Sequence, residues 1–100
     1  MKGKIINKVI KLPQKLTGKP AINFIIKFRK KVTNDIKEVT LDAAELEFID
    51  SGSIGFLIVE AIRLQRLGGS MNIKNLDEEI KENFLIANIE KIIKFQNITS

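Results

Sequence analysis

Between a short β-branched run at Val39-Thr40-Leu41 and a second extended run from Met71 to Lys74 lies a stretch that reads as one long, largely buried helix. Ile54, Leu57, Ile58, Ala61 and Ile62 recur at helical spacing, Leu64 and Leu67 widen the stripe, and Gly68-Gly69 ends it. Strand, long helix and strand in succession are the mark of a crossover between parallel strands, and such crossovers are right-handed. A chain that contains this unit has few architectures open to it.

The flanking segments extend the alternation. Ile5, Ile6, Val9, Ile10 and Leu12 between lysines predict a strand closed by Pro13, which cannot continue a ladder. A helix follows to about Asn34, with Thr17 or Gly18 as cap, Pro20 near its start and a stripe of Ala21, Phe24, Ile25, Phe28 and Val32. Lys37 to Asp42 reads as a buried central strand, and Ala43 to Glu47 as a connector. After Lys74, Asn75 or Asp77 caps a third helix; Glu78 stands three residues after Asn75 as in a capping box. The inner face of that helix is Ile80, Phe84 and Ala87, with Asn88 as its closing residue, and Ile89 to Phe95 forms the last strand. The expected fold is α/β, a single domain over 1–100 with a mostly parallel central sheet of about four strands and helices packed on it.

Composition narrows function more than fold. With 44% apolar residues, 100 residues suit one core and leave no room for a second. Cysteine and histidine are both absent. Disulfides, thiolate metal sites and the Ser-His or Cys-His nucleophile pairs are therefore beyond this chain, and no cofactor is expected. The N-terminal residues Met1 to Lys8 are broken by charges and supply no signal-peptide core, and no segment has the apolar length of a membrane span, so the expectation is a cytoplasmic protein. Net charge is +5, unevenly placed: ten Lys or Arg and no acid up to Asn34, then seven bases to twelve acids. The basic third is a solvated lysine face on its plainest reading; attraction to an acidic partner or to an anionic membrane surface is the functional one. Direct nucleic-acid binding is not expected, because Phe24 and Phe28 belong to the helical stripe and Phe48, Phe56, Phe84 and Phe95 to the core or its rim, leaving no stacking platform.

The chemistry concentrates where the central strand and connector meet the long helix, at Asp50-Ser51-Gly52-Ser53-Ile54-Gly55-Phe56. A serine nucleophile at Ser51 would need a base within reach and an orienting third group, and no imidazole exists to serve. Gly52-Ser53-Ile54-Gly55 lacks both the lysine of a P-loop and the full GxGxxG spacing. Two readings of Ser51 remain: a helix cap, or a hydroxyl offered to another protein. The small residues beside it keep the surface low enough for close approach, and the C-terminal ends of strands are where open α/β sheets carry their sites.

The run from Val39 to Gly55 resembles the core signature of the STAS domain of bacterial anti-sigma factor antagonists: hydrophobic strand, Asp-leucine connector, Phe48, a hydrophobic residue, then Asp50-Ser51 and a glycine-rich helix start. The similarity continues through Leu67-Gly68-Gly69 and a helix containing Phe84 to Ile89 through Phe95, covering roughly Lys4 to Phe95. It implies a STAS-like fold and a protein that is not an enzyme. It also implies a binding partner, an anti-sigma factor that is an ATP-dependent serine kinase of the histidine-kinase-like type. That partner is bound when Ser51 is unphosphorylated and released when Ser51 is phosphorylated, and it brings the nucleotide, magnesium and base itself. By position the acceptor is Ser51, with Asp50 its acidic neighbour, and the partner-binding surface comprises Asp50, Ser51, Gly52, Ser53, Gly55 and Phe56. The family's Ser-Gly order is inverted here as Gly52-Ser53, which makes Ser53 a competing acceptor. STAS domains also serve in stress-signalling assemblies and as subunits of lipid-trafficking ABC transporters, so an ABC transporter ATPase is the alternative partner.

Overall fold

The computed structural model describes residues 6–86 and 92–96. The elements follow in the order β1 (Asn7–Lys11), β2 (Lys15–Leu16), α1 (Gly18–Lys31), β3 (Glu38–Asp42), β4 (Phe48–Ile49), α2 (Ser51–Arg66), β5 (Ser70–Lys74), α3 (Glu78–Ile86) and β6 (Ile93–Gln96). Four strands form one sheet in the order β1-β3-β5-β6, every pair parallel, as the crossover pattern predicts. Its register sets Ile10 beside Leu41 and Leu41 beside Ile73, so one row of side chains is apolar across the sheet.

Those apolar rows point one way. Ile10, Val39, Leu41, Met71, Ile73 and Ile93 join Phe28 of α1, Leu57, Ala61 and Leu64 of α2 and Ile80 of α3 in a single core. All three helices therefore pack on the same face of the sheet. The other face carries Asn7, Val9 and Lys11, then Glu38, Thr40 and Asp42, then Ser70, Asn72 and Lys74. Parallel sheets are ordinarily covered on both faces. Even so, Val39, Thr40 and Leu41 are all buried, as expected of a central strand, with Thr40 on that other face in register between Val9 and Asn72.

The β3 to β5 crossover closes tightly. The Gly69 amide donates to the Leu64 carbonyl at 2.7 Å and the Ser70 amide to Lys37 O at 2.9 Å, while Lys37 Nζ donates to Leu67 O at 2.8 Å. A Cβ on Gly69 would overlap the Lys37 carbonyl oxygen, so only glycine fits where the chain turns into β5.

Several boundaries differ from expectation. Helix α1 stops at Lys31 rather than near Asn34, because the β-branched pair Val32-Thr33 leads into a turn closed by the Ile36 amide donating to Thr33 O at 3.0 Å. Thr17 occupies the cap position of α1 without a side-chain bond. Asn75 does not cap α3: it lies at φ 62° and donates through Nδ2 to Asp42 Oδ1 at 3.1 Å, which locks the end of β5 to the end of β3. The cap is the alternative, Asp77, whose Oδ1 accepts from the Glu79 amide at 2.8 Å. The final strand begins at Ile93; Ala87, Asn88 and 89–91 lie outside the described residues.

Candidate functional site

Two dipeptide strands absent from the sequence-based reading build the site. Lys15–Leu16 pairs in parallel with Phe48–Ile49, Lys15 opposite Phe48 and Leu16 opposite Ile49, as a small sheet beyond the C-terminal ends of the main strands. The Gln14 carbonyl accepts from the Glu47 and Phe48 amides at 2.8 and 3.1 Å. Because β2 leads into α1 and β4 into α2, this ribbon sets the two helix starts side by side. Elements of two residues have no periodicity to read, so composition alone does not reveal them.

The Leu16 carbonyl holds the turn together. It accepts from the Asp50 amide at 3.2 Å and from Ser53 Oγ at 2.8 Å. Asp50 is extended, with φ −97° and ψ 170°, and its Oδ1 accepts from the Ser53 amide at 2.7 Å, while the Ile54 amide donates to Asp50 O at 3.1 Å. Asp50 is thus the N-cap of α2, and the reading of Ser51 as the cap is corrected; a carboxylate three residues ahead of the amide it accepts from has the reach the position needs. The Ser53 amide is also the main reason the exposed Asp50 carboxyl lies below the usual carboxylate range.

The same geometry separates the two serines. Ser53 is 6% exposed and its hydroxyl proton is given to Leu16, so it leaves the surface to which the sequence assigned it. Ser51, the first residue of α2, is exposed. Gly52 is exposed beside it, Gly55 is half-buried one turn on, and a Cβ at Gly55 would meet open space. Phe56 is half-buried: it packs edge-on against Phe28, ring centroids 5.4 Å apart at 83°, with the Arg29 guanidinium 5.5 Å above its ring.

Phe48 departs from its assignment to the core or its rim. It is 54% exposed two residues before Asp50, with Lys15 Nζ 5.9 Å above the ring. Its outward position, close to the exposed Ser51, follows from the pleat of the dipeptide strand that sequence reading missed. Glu60, on the stripe side of α2, is also buried at 6% exposure, where Oε1 accepts from Arg63 Nη2 at 2.9 Å and Nε at 3.0 Å. The i, i+3 spacing of Glu60 and Arg63 was the available signal.

Chemically the site offers a hydroxyl on a low surface. The one carboxylate next to it is engaged by the Ser53 amide, and no group of acidic residues among those described is arranged to hold a metal ion. Among the described residues, no helix is long and apolar enough to cross a membrane. The family model of the STAS domain matches residues 3–99. With its parallel sheet, its three helices and the Asp50-Ser51 helix start in place, the chain belongs to the STAS domain family, whose members are in general non-catalytic signalling or protein-binding modules.

Proposed function

We propose that this chain is a phospho-switchable protein-binding module of the anti-sigma factor antagonist type, acting in the cytoplasm through Ser51. One observation carries the reading: of the two hydroxyls at the start of α2, Ser53 is buried and committed to Leu16 O, and Ser51 is exposed. Unphosphorylated, the surface of Ser51, Gly52 and Gly55, with Phe56 and Phe48 at its margin, admits a partner closely. That partner is an ATP-binding serine kinase. Its base takes the proton from Ser51 Oγ as the new O–P bond forms and the bond from the γ-phosphorus to the bridging oxygen breaks, releasing ADP. The phosphoserine carries about −1.5 to −2 charges, which the first-turn amides of α2 and the helix dipole accommodate. The partner meets a bulky dianion beside the ionised Asp50 and is expelled by repulsion and desolvation.

The test uses purified chain with its kinase and ATP. One phosphate per chain should appear on Ser51, Ser51→Ala should remove it, and Ser51→Asp should weaken binding by more than tenfold. A Ser51→Asp variant that binds as tightly as wild type ends the proposal. Stoichiometric isolation with an ABC transporter ATPase, Ser51 unmodified, would replace it with the role of a transporter subunit.

A further inference from the structure

Helix α1 has already buried the residues its core needs, Ala21, Phe24 and Phe28, yet Ile22 and Ile26 stand on its outside at 57% and 49% exposure. They sit at i and i+4, with Lys19 three residues before the first and Arg29 and Lys30 three and four after the second, so the five side chains form one stripe. No acid occurs in α1. Cations in the last turn of a helix are explained by its dipole, but Lys19 lies in the first turn, where the dipole opposes it, so the dipole does not account for the stripe. Arg29 leans over Phe56 of α2, which locates the stripe on the side of α1 that borders α2. One turn beyond Phe56, Val59 is 60% exposed, and Arg63 follows a turn later.

We propose that Lys19, Ile22, Ile26, Arg29 and Lys30 of α1, with Val59 of α2, form a second half of the docking surface that receives an acidic, partly apolar face of a protein partner. The inference rests on the reading of the α2 start as a docking site and names the chemistry of what docks there. Exposed β-branched side chains within a ring of cations match a partner whose apolar contacts are bordered by Asp and Glu, and such a border sets approach rate and orientation more than bulk affinity. It also bears on release: a phosphate on Ser51 adds negative charge to the surface that must attract an acidic face.

The experiment places the photo-cross-linker p-benzoylphenylalanine at position 22 or 26 of the full chain in its native cells, with the exposed position 94, on the sheet face opposite the helices, as control, and maps the cross-linked peptide by mass spectrometry. The protein captured is then purified and titrated with wild type, with Lys19→Glu/Lys30→Glu and with Ile22→Asn/Ile26→Asn at low and high salt. The proposal expects an acidic peptide cross-linked from 22 and 26 but not 94. It also expects about tenfold weaker binding by each double variant at low salt, the charge-reversal effect shrinking at high salt, with every variant still melting in one cooperative transition. Cross-links to lipid, nucleic acid, a second copy of this chain, a non-acidic peptide or nothing overturn it, as does charge reversal that alters affinity less than twofold. Ser51→Asp in the same titration separates the two ideas. Binding that depends on α1 but ignores Ser51→Asp removes the switch and keeps the acidic docking face, and the reverse removes the docking face alone.

Discussion

At the scale of single residues, Asp50, Ser51 and Ser53 hold three different positions that their similar size conceals: cap, exposed hydroxyl and buried strut. Replacing the cap with Asp50→Ala should cost about 1 kcal/mol, and Asp50→Asn only a few tenths, because asparagine also accepts from the amide of the third helical residue. The pH dependence follows in sign from the lowered Asp50 value. The unfolded chain takes up its proton first as pH falls, so the carboxylate's contribution is complete above about pH 4 and is lost as pH drops through the lower folded value. Urea unfolding of wild type and Asp50→Ala at pH 7 and at about pH 2.5 should show the gap between them narrowing in acid; a gap that widens would contradict the cap. Phe48→Ala tests the opposite kind of residue. With half of the ring in water its loss should move stability by less than about 1 kcal/mol, whereas affinity for the partner should fall about tenfold if the ring anchors the interface. A large loss of stability with unchanged affinity would return Phe48 to a structural role.

Among the elements, two glycines of one crossover make a sharper comparison than any core truncation. Gly69→Ala drives a methyl into the Lys37 carbonyl at the point where β5 joins β3, and backbone rather than a flexible side chain must give way. It should cost upwards of about 3 kcal/mol, at the severe end for one substitution. Gly55→Ala meets open space inside α2 and should raise stability by about 0.5–1 kcal/mol, yet on the proposed docking surface the added methyl should weaken binding. Thermal melts with a binding titration separate the pair; Gly55→Ala that gains stability and keeps full affinity would take Gly55 out of the interface. What was legible in the sequence follows the same division. The four long strands and three helices announce themselves through periodicity, and the Asp50-Ser51 helix start through its composition. The ribbon of β2 and β4 is invisible because two residues carry no period, and with it went the exposure of Phe48 and the anchoring of Ser53 to Leu16, 37 residues away in sequence. Asn75 was misread for a related reason: its partner, Asp42, becomes a neighbour only once β3 and β5 pair.

For the whole molecule, the uneven charge sets two opposing responses to salt. Among the described residues the salt bridges are Lys11 with Glu45, well exposed at both ends, and Glu60 with Arg63, and neither involves a cation of α1. Exposed pairs contribute about 0–1 kcal/mol, whereas Lys27 faces both Lys30 and Lys31 at repulsive i, i+3 and i, i+4 spacings. With a radius of gyration of 13.1 Å, the molecule is little larger than the Debye length of about 10 Å at 0.1 M salt, so the basic third feels its own repulsion at low ionic strength and is relieved of it as salt rises. The free chain should therefore melt about 2–4 °C higher at roughly 0.3 M sodium chloride than at 0.02 M, on the scale of about 4–8 °C per kcal/mol for a domain of this size. Association with an acidic partner should move the other way, weakening about tenfold over the same range. Scanning calorimetry of the free chain and titration of the complex across one salt series read both trends. A melting temperature that falls with salt would mean that attraction between the basic third and the acids of the rest of the chain dominates, and the cations of α1 would then be spent inside the fold rather than held for a partner.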